Sequence, residues 1–194
     1  MAARRIAALL ALALSATSAT TAAQDAVAPD LPALIECRAT YEAFMGLVPV
    51  QADPLAAVSL GWRPQPQANL FMVEYQLNTP IEVFGHRTTH IAFAGDAILA
   101  VLDLEDPRVL ARELQLETGI DTPEKVLFGL EVRAEEVAGA DGQPAWIDSA
   151  VINVSNVDSH PGKTLAGCSY SRDPLEPEEP EIPGGASPTA ALPR

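Results

Sequence analysis

Two of the chain's three histidines stand four residues apart in VFGHRTTHIAFAG, Val83 to Gly95, as His86 and His90. On a helix that spacing puts both imidazoles on one face and can begin a metal site. The surrounding residues are β-branched or aromatic and alternate with period two, which predicts a strand instead. On a strand, residues four apart share a face but lie about 13 Å apart. Two imidazoles at that separation cannot share one zinc with bonds of about 2.0 Å. No HExxH arrangement is present. The spacing therefore predicts no metal ligation by this pair, and no metal ligand is assigned anywhere in the chain.

Other motifs lead no further. HPGKT, His160 to Thr164, ends like a phosphate-binding loop, but the upstream glycine such a loop needs falls at Val157. There is no Gly-x-Ser-x-Gly elbow for a nucleophilic serine. Acidic groups cluster at Asp103, Glu105 and Asp106 and at Glu135 and Glu136. They lack the spaced Asp/Asn/Gly loop of a calcium-binding EF-hand, and are read as helix caps and solvent-facing charges. No catalytic and no cofactor-binding residue is assigned. Trp62 and Arg63 follow Gly61 and open a Pro/Gln-rich connection. They read either as an exposed binding anchor or, for Trp62, as a lid over the core.

The two cysteines, Cys37 and Cys168, flank most of the chain. Residues 1–23 read as a secretory signal peptide: Arg4 and Arg5, an apolar run from Ile6 to Leu14, and small residues ending in Thr21 to Ala23. The apolar run is shorter than the ~20 residues a membrane helix needs. An exported chain with an even cysteine count implies a disulfide, Cys37 to Cys168. Export implies a periplasmic or secreted protein without a membrane span in its mature form. Asp30 to Arg172 holds nine Lys and Arg against 20 Asp and Glu, a formal charge of −11. Such a chain repels nucleic acid and suits a basic envelope or secreted protein as partner.

The elements that position these residues follow from periodicity. Leu34, Cys37, Tyr41, Phe44, Met45 and Val48 lie at helical spacing after Asp30 and Pro32, so one helix is expected from Asp30 until Pro49 stops it. A short helix follows Asp53, and a third follows Asp106. Strand segments begin at Asn69, Ile81, Thr88, Ala97, Lys125, Ala145 and Thr164, mostly alternating, with the one at Ala97 wholly apolar and expected to be central, and turns fall at Asn78–Pro80, Gly95–Asp96, Ala138–Pro144 and Asp158–Lys163. The expected fold is a single α+β domain over 30–172, with a mostly antiparallel sheet of about six strands, an N-terminal helix and one mid-chain helix that allows a parallel crossover. Residues 24–29 are a linker, and 173–194, rich in proline and acids, a disordered tail.

With no assembled site, the sequence points to an exported, non-catalytic binding or inhibitor-like module acting on a protein partner. Two alternatives remain: a hydrolase using His86 or His90 with a nearby carboxylate, and a small-molecule carrier.

Overall fold

A computed structural model describes residues 28–175; the expected signal peptide over 1–23 and most of the expected tail lie outside the described residues. The helices start where short polar side chains can accept from free backbone N–H groups. Asp30 caps α1 (Leu31–Ile35), Thr40 caps α2 (Tyr41–Met45), Asp53 caps α4 (Pro54–Ser59) and Asp106 caps α5 (Pro107–Glu113). Between α2 and α4, α3 spans Val48–Ala52.

The single helix expected from Asp30 to Val48 is thus divided. Cys37 adopts φ +57°, outside helical geometry, and the Thr40 hydroxyl then starts a new helix by accepting from Ala43 N at 3.2 Å. Arg133 holds the break by donating to the backbone oxygens of Cys37, at 3.1 Å, and Ala39. Pro49 does not stop a helix: it sits in the first turn of α3, where its missing N–H is harmless.

Among the described residues, eight strands form one sheet in the order β1-β2-β3-β4-β8-β7-β6-β5. They are β1 (Trp62–Pro64), β2 (Val73–Val83), β3 (His86–Ala94), β4 (Ala97–Leu102), β5 (Glu117–Asp121), β6 (Val126–Ala138), β7 (Pro144–Ser155) and β8 (Thr164–Pro174). Every neighbouring pair is antiparallel, so the parallel crossover does not occur. The antiparallel character matches expectation; the count of about six does not. The two added strands lie at the sheet edges. β1 interrupts the segment read as a connection, and β5 is exposed along its whole length, so it carries no alternation to read.

Asn78–Pro80, expected as a turn, lies inside β2, where the register to β3 shifts between Gln76 and Ile81. The chain reverses later, at Phe84 and Gly85, with φ +50° and +74°. β8 ends at Pro174, paired with Trp146, two residues past the expected domain boundary.

One face of the sheet packs against the helices. Tyr75, Ile91, Ala100, Ala166 and Ile152 point to this side, with Leu34, Ile35 and Phe44 above them. Cys168 shares that face and bonds to Cys37, so the expected disulfide is present. Tyr170, 1% exposed, stacks on Phe44 and donates its hydroxyl to the Leu34 oxygen at 2.7 Å.

Burial pushes the Tyr170 phenol up to about 12. Because the folded state favours the protonated form, its contribution is complete below the unfolded value of about 10 and is lost as pH rises towards 12. Urea midpoints are therefore expected to fall between pH 10 and 12 in the wild type and less steeply in Tyr170→Phe. At neutral pH the substitution should cost about 1 kcal/mol for the lost hydrogen bond. Equal alkaline slopes would show that Tyr170 does not carry the effect.

The opposite face has a smaller apolar cluster of Met72, Ala92, Ala97, Leu99, Val101 and Leu165. β4 lies beneath both clusters and is buried at all six positions. Val157, in the connection from β7 to β8, packs on this second cluster.

Candidate functional site

Glu74 and Gln76 alternate with the buried Tyr75 and Leu77 on β2 and therefore face the second side of the sheet. The register pairs Glu74 with Ala92 and Gln76 with His90, so Glu74 and His90 are diagonal neighbours across the β2–β3 pair, within reach for long side chains. His90 Nε2 lies 2.8 Å from Glu74 Oε2. The third partner arrives from the β7–β8 connection. A turn closed by His160 N donating to Val157 O at 3.0 Å, followed by Gly162 at φ +70°, lays His160 over the sheet. Its Nε2 lies 2.9 Å from the same Glu74 Oε2.

The cluster is largely enclosed. Side-chain exposure is 3% for Glu74, 8% for His160 and 28% for His90. One nitrogen from each histidine and one carboxylate oxygen lie within 4.8 Å of one another. Glu74 Oε1 is buried and has no hydrogen-bond partner among the described residues. Behind His160, Ser159 Oγ lies 3.0 Å from Nδ1 and accepts from Asn69 Nδ2 at 3.3 Å. His90 also borders a polar cleft of about 310 Å³, whose lining includes Gln76, Arg87, Thr88, Asp103 and Lys163. That cleft lies beyond Ile91–Ala100, the last β3–β4 pair at this end of the strands, where Thr88 Oγ1 donates to Val101 O at 2.7 Å.

Two kinds of chemistry fit the arrangement. Two imidazole nitrogens and a carboxylate oxygen form a donor set for a transition-metal ion. Ser159, His160 and Glu74 also form a hydroxyl–imidazole–carboxylate chain of the kind that activates a nucleophile.

The residues singled out from sequence are distributed as follows. His86 and His90 both lie on β3, and only His90 joins the cluster; His86 pairs with Val83 at the hairpin. Trp62 is 4% exposed and packs on Tyr75 and Phe93, so the structure corrects its reading as a surface anchor and leaves the lid. Arg63 beside it is exposed. Asp106 caps α5, Asp103 pairs with Lys163, and Glu135 lies 3.8 Å from Arg133.

The sequence offers His90 beside His86 or an unspecified nearby carboxylate, and period two in NLFMVEYQL sets Glu74 on the face opposite Tyr75 without marking it as a partner. HPGKT contains His160, but its likeness is to a phosphate loop, not to a partner for Glu74. The remaining local signal was the turn chemistry of SHPGK, which does not say which strand the turn will cover. Comparison with family models, curated proteins and solved structures yields no match.

Proposed function

We propose that this chain is an exported, non-catalytic binding module of the cell envelope that engages a basic protein partner in an inhibitor-like manner. Export rests on the leader-like residues 1–23, and an intramolecular disulfide is compatible with an oxidising compartment. Among the described residues, no helix is long and apolar enough to cross a membrane.

The observation that carries the reading is an apolar pair on a tied loop. Leu70 and Phe71 are 85% and 84% exposed, beside Val73 at 46%. The loop is held by Phe71 N donating to Asn69 Oδ1 at 2.9 Å, by Gln67 Nε2 donating to Leu70 O at 3.3 Å, and by the buried Met72. Large apolar groups on an ordered loop lose little entropy on binding and make effective anchors. Glu124 and Asp158 border the same cleft as Asn69, and the chain carries a net charge of −14. This combination suits a partner with an apolar pocket in a basic surface.

The test is capture from envelope extract by the tag-free mature chain, followed by kinetics with the recovered protein. A basic partner is expected, with an association rate that falls as salt rises. Leu70→Ser/Phe71→Ser should weaken the complex by at least about 30-fold, as loss of a binding anchor does. Undiminished binding by that variant would remove the loop as the recognition element.

A second reading, a hydrolase, is favoured by the Ser159–His160–Glu74 chain and by the His90–Glu74 contact that the sequence alternative required. A fluorophosphonate probe separates the two. The binding reading expects Ser159 to stay unmodified, and an adduct on Ser159 would establish the hydrolase.

A further inference from the structure

The geometry points to a divalent transition-metal site formed by Glu74, His90 and His160, with zinc as its occupant. The three ligands come from β2, β3 and the β7–β8 connection, so a bound ion would fasten that connection to the sheet. Their donor atoms already converge: both Nε2 atoms lie 2.8–2.9 Å from one carboxylate oxygen. Tetrahedral zinc with bonds of about 2.0–2.1 Å needs donors separated by about 3.3 Å. Each nitrogen–oxygen contact reaches that spacing with an outward movement of about half an ångström, and the two nitrogens lie within 4.8 Å of one another.

The donor types select the ion. Two neutral imidazoles and one carboxylate suit zinc and its neighbours, whereas calcium and magnesium take oxygen ligands. Three protein ligands leave a fourth position for water or a partner's group, and the partial exposure of His90 gives that position access from solvent.

Two further features belong to a ligand site. Glu74 Oε1 is a buried carboxylate oxygen without a partner among the described residues, an expensive condition for a group that serves only the fold. A metal-bound Nε2 also requires the proton on Nδ1, and in His160 that nitrogen faces Ser159 Oγ at 3.0 Å. Asn69 Nδ2 donates to the same oxygen. The hydroxyl oxygen can therefore accept from both, as the orienting partner of a metal-ligating histidine does. In a purely structural cluster, both Nε2–H groups would instead donate to Glu74 and no ion would bind.

The test uses the tag-free mature chain, stripped with chelator, exchanged into metal-free buffer and titrated with zinc. One zinc per chain is expected by elemental analysis after gel filtration, with a rise in Tm. Glu74→Gln, His90→Gln and His160→Gln should each weaken binding by more than about 100-fold. Ser159→Ala should weaken it about 10–100-fold, as loss of an orienting partner does. His86→Gln should leave it unchanged.

Because loss of a buried ligand could unfold the chain, cobalt(II) is also bound to the wild type. Intense visible bands of a four-coordinate site are expected. The pale spectrum of six-coordinate cobalt would overturn the assignment. So would the absence of stoichiometric zinc in the wild type, undiminished binding in folded ligand variants, or displacement of zinc by calcium.

Discussion

Replacing both cysteines, Cys37→Ala with Cys168→Ala, is expected to lower unfolding free energy by about 5 kcal/mol. The bond spans 131 residues. In the chain-entropy description, releasing a loop of that size restores freedom mainly to the unfolded state. The native location makes the loss hard to offset. Cys168 is fully buried on β8, between Ile98 of β4 and Ile152 of β7, and Cys37 holds the left-handed turn that separates α1 from α2. The bond therefore fastens the helical layer to the middle of the sheet. Urea unfolding of the wild type and double variant measures the difference. A change below about 1 kcal/mol would mean that the unfolded chain remains constrained without the bond.

Gly167→Ala is expected to prevent accumulation of folded protein or to cost more than about 3 kcal/mol, beyond ordinary overpacking. Alanine in place of glycine normally stabilises a strand interior by roughly 0.5–1 kcal/mol; here the sign should reverse. A Cβ at 167 would lie 2.0 Å from Ile98 O and 2.7 Å from Leu99 Cα. Those are backbone atoms of β4, the strand paired with Gly167 through Leu99. No rotamer relieves the overlap, so β4 and β8 would have to separate at the centre of the sheet. Chemical denaturation and hydrogen exchange of the β4 amides report it. A variant as stable as the wild type would show that the two strands do not approach so closely.

Much of the fold was legible because its causes are local. An aspartate followed by proline marks the starts of α4 and α5, since the side chain accepts a free N–H and proline lacks one. Alternation marked the interior strands, whose two faces meet different surroundings, and the fully apolar β4 was readable as central. Export-like features with two cysteines implied the disulfide.

What failed locally had its cause elsewhere in the chain. The stripe from Leu34 to Val48 has helical spacing, yet the bond to Cys168 and the Arg133 contacts accompany a break at Cys37, and Met45 and Val48 end up 41% and 45% exposed. β5 has no buried residue; its strand conformation comes from pairing with β6, which no local pattern encodes.

The candidate site follows the same division. His90 on a strand, unable to share a metal with His86, was decided by the 3.3 Å rise per residue. That Glu74 faces away from the helices was equally readable from period two. Only the tertiary structure decided that this second face is covered at Glu74, because the covering residue, His160, lies 86 positions away. Alternation reports which way a side chain points from its own backbone. It carries no information about which distant turn will close over it, and that closure turns three separate polar residues into one enclosed cluster.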